Sequence, residues 1–315
     1  MKRLSKKVIG RTILLMLVTG LFLSGCATSH QGDVSKPREP FFSKQDQGDV
    51  AEDPILDQKL PEMTAEELEA LGDRHFKGKD YYLAYLQYSK ALKLNPDNGR
   101  LQYKQGMLFL AGAKYKDAAK AFAGVIEKEP ANPAAHEGMG TALFEARDYD
   151  RAIPHFQKAL ELSPRSWKAR NFLGNIYDFQ KQYEKAAREY AEAILLKPEN
   201  AMLYNNLGVS LSLAGRYEES IKAFKQALSA DGQKQKVFNN LGMVLARTGR
   251  YDAALEAFKH GSDNARAYNN LGCVLMAKGD YQKAAQAFNK AIAASPKFYE
   301  KAYDNLKKVE LGSVR

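Results

Sequence analysis

The chain of 315 residues has little cysteine, tryptophan or proline, with 2, 1 and 11 of these residues respectively. Two cysteines, Cys26 and Cys273, cannot form the several cross-links of a disulfide-rich secreted scaffold. The most apolar run, residues 12–23, is also shorter than the roughly 20 residues that a membrane-spanning helix needs. The composition, 45% apolar and 27% charged, is that of a globular protein.

The formal net charge is +10, but beyond residues 1–25 the chain has no large excess of one charge. Residues 1–25 contain five basic residues and no acidic one, and removing those five from the 47 basic residues leaves 42 against 37 acidic residues. No continuous basic stripe with interleaved aromatic residues occurs, so nucleic acid is not an expected partner. The five basic residues are Lys2, Arg3, Lys6, Lys7 and Arg11.

Sequence motifs for catalysis are missing too. The chain contains no HExxH, no phosphate-binding loop and no nucleophile elbow. We therefore expect no enzyme activity, no catalytic residue, no metal and no cofactor. The histidines are scattered along the sequence, at His30, His75, His136, His155 and His260.

The N-terminus has the three parts of a secretory leader: a basic start, the apolar run 12–23, and then Leu23-Ser24-Gly25-Cys26. This tetrapeptide resembles a bacterial lipobox. The resemblance implies that residues 1–25 are a lipoprotein signal peptide and that Cys26 is lipidated. Two or more acyl chains anchor a protein stably where one does not. The alternative is an ordinary secretory leader with an incidental cysteine.

Residues 26–62 read as the lipidated cysteine followed by a disordered tether, because they are polar, contain four prolines and show no sustained hydrophobic period. The apolar pair Phe41-Phe42 can be a docking element or an incidental feature of this linker. Ala27, rather than an acidic residue, after Cys26 favours the outer membrane facing the periplasm.

From Ala65 onward the sequence repeats with a period of 34 residues, shortened once to 30. Each unit has a glycine, then a tyrosine nine residues later, a small residue twelve later and an aromatic residue sixteen later. This spacing predicts a helical hairpin, in which the glycine allows close approach and the aromatic residue fills the space between the helices. The glycines are Gly72, Gly106, Gly140, Gly174, Gly208, Gly242 and Gly272.

These seven in-phase units resemble a tetratricopeptide repeat (TPR) array. The resemblance implies an all-α fold, a right-handed α-solenoid of about seven TPR helical hairpins with a C-terminal capping helix at 299–311. In the shortened sixth unit, where Gly261 replaces the usual alanine, the second helix should end early. The predicted units are 65–98, 99–132, 133–166, 167–200, 201–234, 235–264 and 265–298.

In the TPR family the first helix of each pair lines a concave groove, so the repeated asparagines are candidates for peptide binding. A side-chain amide can pair with any peptide backbone, since it both donates and accepts. The asparagines can instead bond locally within the solenoid. The candidate groove residues are Asn171, Asn175, Asn205, Asn206, Lys236, Asn239, Asn240, Arg266, Asn269 and Asn270, with an apolar part at Phe76, Leu110 and Phe144.

The family's carboxylate clamp is matched in three places, at Asn175, Asn206 and Lys236, but Asn171 and Asn240 stand where lysine and arginine are wanted. Binding of a chaperone tail is therefore not the favoured reading. Cys273 is predicted to be a small packed side chain.

Lipobox and array together resemble the TPR lipoproteins of pilus assembly, both the TadD-like component of tight-adherence pili and the pilotins of type IV pili. The resemblance implies a membrane-anchored scaffold that binds protein or peptide segments and assists assembly of a pilus or secretion complex at the outer membrane. The alternative is an NlpI-like adaptor that presents substrates to a periplasmic protease. The oligomeric state is left open.

Overall fold

The computed structural model describes residues 63–230, 234–295 and 299–312, and within these ranges all regular structure is α-helical. The predicted signal peptide, Cys26 and the tether lie outside the described residues. The chain divides into two compact units, whose described parts are residues 63–198 and 199–312.

The first unit contains eight helices arranged as four successive hairpins. The two helices of each hairpin pack on each other, and each hairpin packs on the next. The helices are α1 (Ala65–Gly78), α2 (Tyr81–Leu94), α3 (Gly99–Ala111), α4 (Tyr115–Lys128), α5 (Pro133–Glu145), α6 (Tyr149–Leu162), α7 (Trp167–Phe179) and α8 (Tyr183–Leu196).

The second unit contains three hairpins and a final helix that packs on the last of them. This final helix, α15, buries Ala302 and Val309 against the unit, with exposed fractions of 0% and 2%. The helices are α9 (Ala201–Leu213), α10 (Tyr217–Ser229), α11 (Lys234–Arg247), α12 (Tyr251–Gly261), α13 (Asn264–Ala277), α14 (Tyr281–Ala293) and α15 (Glu300–Gly312).

A glycine facing an aromatic ring explains how the two helices of a hairpin come so close. A Cβ atom added to Gly106 on α3 would lie 2.8 Å from the ring of Phe122 on α4, inside normal contact distance. Phe122 is fully buried, as is Ala118 one turn before it. The same contact recurs between Gly72 and Tyr88, Gly140 and Phe156, Gly174 and Tyr190, Gly208 and Phe224, Gly242 and Phe258, and Gly272 and Phe288.

Capping side chains fix where many of the first helices begin. In α3, for example, the side chain of Asn98 accepts a hydrogen bond from the backbone N–H of Leu101 and satisfies one otherwise unpaired donor. Every second helix of the hairpins begins at the repeated tyrosine. The other caps of this kind are Thr64, Asn132, Ser166, Asn200 and Asp263.

The sixth hairpin departs from the others as the sequence predicts. Its second helix, α12, has 11 residues, whereas the other second helices have 13 or 14. A Cβ atom on Gly261, the last residue of α12, would lie 2.8 Å from the backbone oxygen of Gln235. Alanine cannot fit there, because the end of α12 lies directly against the start of α11. The all-α hairpin fold is therefore confirmed together with this irregularity.

Candidate functional site

The first unit has an open groove of about 950 Å³ where the C-terminal ends of α1 and α3 meet the turns that follow them. Two of the three residues predicted for the apolar groove, Phe76 and Leu110, line it. Sequence reasoning missed the others, which come from neighbouring turns and helices. They are Lys79, Asp80, Tyr81, Tyr82, Leu83, Met107, Ala111, Gly112, Tyr115, Thr141 and Glu145.

The groove exposes apolar side chains that a folded protein ordinarily buries. Leu83 is 41% exposed and Met107 is 37% exposed. The rings of Phe76 and Tyr81 lie 5.9 Å apart and are tilted by 51°, so an aromatic corner forms at the turn between α1 and α2. Exposed apolar surface inside a concavity is characteristic of a binding site.

The third predicted apolar residue, Phe144, belongs to an aromatic cluster on α5, α6 and α7. Its ring lies 5.0 Å from that of Phe172 in an edge-on arrangement and 5.6 Å from that of Tyr149. Tyr149 in turn stacks on Phe179 at 5.1 Å. Phe179 remains 58% exposed, so this cluster adds apolar surface to the same unit.

A charged cluster joins α1 to α3 in the first unit. The Lys104 ammonium lies 2.6 Å from a carboxylate oxygen of Glu69 and 2.6 Å from one of Asp73. The Tyr88 hydroxyl donates to Asp73 at 2.8 Å. Burial opposes ionisation, but the hydrogen bonds from Lys104 and Tyr88 outweigh it and lower the pKa of Asp73. These charges satisfy one another, so the cluster serves to hold the helices together.

In the second unit two hydrogen-bonded asparagine pairs connect the first helix of a hairpin to the hairpin or final helix that follows it. The Asn240 side-chain N–H donates to the side-chain oxygen of Asn205 at 2.9 Å, joining α11 to α9. Asn305 on α15 donates to Asn269 on α13 at 3.0 Å. Asn205 and Asn269 are 5% and 1% exposed. The first asparagine of these two repeated pairs is thus a buried structural residue.

Other predicted asparagines also bond within the chain. Asn239 donates to the backbone oxygen of Gly261 at 3.2 Å, against the shortened α12. In the first unit Asn175 accepts from the Tyr190 hydroxyl at 2.7 Å, and Asn171 is 8% exposed. Of the clamp-like residues, Asn175 thus lies in the first unit, while Asn206 and Lys236 lie in the second.

Among the predicted groove residues of the second unit, the more accessible ones are the second asparagine of each Asn-Asn dipeptide and two cations. Asn206, Asn240 and Asn270 are half-buried, and Lys236 and Arg266 are exposed. Cys273 is 3% exposed, which confirms that it packs in the interior, where Asn305 contacts its sulfur at 3.5 Å.

One polar pair was not evident from the sequence. The Nδ1 atoms of His136 and His155 lie 3.1 Å apart, and Nε2 of His136 lies 3.1 Å from the backbone oxygen of Pro130. Burial, then the neighbouring His136 and Arg151, lower the pKa of His155. The lowered pKa favours the neutral form of His155. A carbonyl oxygen can only accept, so Nε2–H of His136 is the donor to Pro130. The two histidines occupy different positions within one repeat. No residue type that recurs at the same repeat position in other units therefore marks them.

Comparison with known proteins assigns the family. Family models of the tetratricopeptide repeat match residues 69–133, 103–166, 138–201 and 239–297, and another matches 199–267. The chain belongs to the tetratricopeptide repeat family. Every matching model describes this repeat, and the TPR fold is a scaffold for protein or peptide interaction. A comparison with curated protein sequences found no match.

Solved structures resemble this TPR protein along much of its length. A tetratricopeptide repeat protein from Parabacteroides merdae is 18% identical, with 78% of this chain and 98% of that chain covered and a TM-score of 0.55. MamA from Desulfovibrio magneticus, from residue 41 to its end, is 25% identical. The match covers 54% of this chain and 96% of that chain, at a TM-score of 0.50. YrrB, described as a TPR protein with an unusual peptide-binding site, is 25% identical. The match covers 60% of this chain and 99% of that chain, at a TM-score of 0.49.

Across the part of the chain that the structure describes, no helix combines the length and apolar character needed to cross a bilayer. No group of three or more histidine, cysteine, aspartate or glutamate residues in those ranges is arranged to hold a metal ion.

Proposed function

We propose that this TPR protein is a membrane-anchored scaffold that holds extended protein segments, and that the apolar groove of the first unit is its principal binding site. The observation that carries the proposal is the concavity of about 950 Å³ with exposed Leu83 and Met107 beside an aromatic corner. Its volume falls in the range of about 300–1,000 Å³ that is usual for binding pockets.

Energetics favour an apolar anchor over a ladder of asparagines. An aromatic side chain that buries about 150–250 Å² gains roughly 4–6 kcal/mol before entropic costs, at about 25 cal/mol per Å². One hydrogen bond contributes only about 1 kcal/mol, and Asn205 and Asn240 already bond to each other. The guest is therefore an extended segment with an aromatic or aliphatic side chain seated in the groove.

The second unit carries a polar surface of its own, which we propose as a separate and weaker binding surface. The half-buried Asn206, Asn240 and Asn270 and the exposed cations Lys236 and Arg266 suit an acidic segment or a peptide carboxylate. Each exposed ion pair adds little affinity, so this surface orients a guest more than it retains it.

The proposed membrane attachment rests on the amino-acid sequence. The lipobox-like tetrapeptide ending in Cys26 supports lipidation, and Ala27 supports the outer membrane with the array facing the periplasm. We propose that the anchored scaffold assists assembly of a pilus or secretion complex, as the resemblance to TadD-like and pilotin-like lipoproteins implies. An NlpI-like role as a protease adaptor is the alternative outcome of the test.

The test places a photo-crosslinking residue at Met107 in the full-length protein in its native cells, followed by mass spectrometry of the adducts. We expect Met107 to capture an envelope protein, either a pilus or secretion component or a protease. The matched control is Leu195, an apolar residue of the same unit that is 76% exposed and lies outside the groove lining. Equal capture at both positions, or none at Met107, would contradict the proposal.

A further inference from the structure

The groove of the first unit has an aromatic lining of the kind on which proline-containing segments dock. Phe76, Tyr81, Tyr82 and Tyr115 contribute aromatic side chains to it. Polyproline II segments dock on aromatic-lined grooves, because their extended conformation is already formed and little entropy is lost on binding.

A segment of this kind occurs in the chain itself. Residues 36–44 read Lys-Pro-Arg-Glu-Pro-Phe-Phe-Ser-Lys, which combines two prolines in P-x-x-P spacing with the apolar pair Phe41-Phe42. The segment lies outside the described residues. Proline in general favours an extended backbone for itself and for the residue before it. In this sequence the two phenylalanines follow Pro40 directly and could serve as anchors.

The length of the connecting chain allows this segment to reach the groove. From Phe42 to Met63, the first described residue, is 21 residues. A flexible chain of that length has a root-mean-square span of about 25 Å. The groove lies at the far end of α1, a helix of 14 residues and about 21 Å. Such a connection gives an effective concentration of about 1 mM.

The charges of segment and groove are complementary. Residues 36–44 contain three basic residues and one acidic residue. The charged residues of the groove lining are two acidic, Asp80 and Glu145, and one basic, Lys79. The segment is therefore net positive and the lining net negative, which favours their association.

We propose that residues 36–44 occupy the apolar groove of the first unit in cis, with the pair Phe41-Phe42 as the anchor. A guest must then displace this segment, so the chain accepts only segments that compete with its own. The inference rests on the proposed function, since it concerns the same groove.

The test measures binding of a fluorescent synthetic peptide of residues 36–44 to the detergent-solubilised full-length protein by fluorescence anisotropy. The variant Phe41→Ala/Phe42→Ala lacks the internal competitor and should bind the peptide about 10-fold more tightly than the unmodified chain. This factor follows from an effective concentration of about 1 mM and an intrinsic dissociation constant of about 100 µM. The matched control is Ile55→Ala/Leu56→Ala, an apolar pair in the same tether, which should bind like the unmodified chain.

Equal peptide affinity in the unmodified chain and Phe41→Ala/Phe42→Ala would overturn the inference. So would a gain that depends on protein concentration, because the occupant would then be a second copy. Met107→Asp, added to Phe41→Ala/Phe42→Ala, should abolish the tight binding, and retained binding would place the segment elsewhere. Lack of peptide binding in every variant would overturn this inference alone, since crosslinking at Met107 tests the proposed function independently.

Discussion

Asn240 donates its side-chain amide to Asn205, 35 residues earlier, at 2.9 Å and thereby joins the first helices of two consecutive hairpins. Asn305 repeats the relationship with Asn269 on the last hairpin. The repeated asparagines thus have a structural use that needs no ligand: they satisfy each other at the buried contact between neighbouring repeats.

Replacing Asn240 by alanine should lower the free energy of unfolding by about 1–2 kcal/mol, because the buried oxygen of Asn205 loses its donor. Urea denaturation of the full chain measures this. Asn240→Ala and Asn205→Ala should also show coupling in a double-mutant cycle. Independent effects of the two changes would argue that the pair contributes no stability.

Gly106→Ala should destabilise the first unit by about 1–3 kcal/mol, because the new methyl group would lie 2.8 Å from the buried Phe122 ring. Gly124→Ala is the matched control in the adjacent helix α4, since its Cβ would meet only a flexible glutamine side chain, at 3.4 Å. We expect Gly124→Ala to be tolerated or slightly stabilising. Thermal denaturation of both variants measures the change in stability. A similar loss of stability in both would count against the close-contact explanation.

Acid should weaken the first unit through the histidine pair. The pKa of His155 is lowered in the folded chain, so the unfolded chain binds more protons below the ordinary histidine pKa of about 6.5. The stability that neutral His155 contributes is therefore present at pH 7.5 and is lost as the pH falls below about 6.5.

The measurement is the urea midpoint at pH 7.5 and pH 5.5. His155→Gln should reduce the difference between the two midpoints, whereas His260→Gln, at an exposed position, should leave it unchanged. A pH difference that survives His155→Gln in full would show that other groups cause it.

Cys26→Ser should release the protein from the membrane fraction, because the residue that we expect to carry the acyl chains is lost. Fractionation of cells followed by immunoblotting measures the distribution. The control is Cys273→Ser, which leaves the proposed lipidation site intact. Unchanged membrane association of Cys26→Ser would contradict lipidation at this position.

Features that depend on spacing along the chain could be predicted from the sequence. The glycine and the aromatic residue of each hairpin recur in fixed register, so the fold, and the early end of α12 at Gly261, follow from the repeat. Phe76 and Leu110, which their repeat position marks as apolar groove candidates, both line the concavity of the first unit.

Features that depend on how neighbouring helices meet could not be predicted. Met107 and Tyr82 line the groove because the ends of several helices converge there, which no single repeat position records. The sequence left open whether an asparagine pairs with a neighbour or with a guest, because the answer depends on the rotation of α11 relative to α9. His136 and His155 meet across one hairpin without forming a column.

The last helix, α15, also bears on how copies of this protein could stack on one another. Repeat arrays can in principle elongate when the open end of one molecule stacks on the start of another, and such head-to-tail contact does not close on itself. In this chain Ala302, Val309 and Asn305 already cover the final hairpin. A second copy could therefore not stack on that face of the final hairpin without displacing α15.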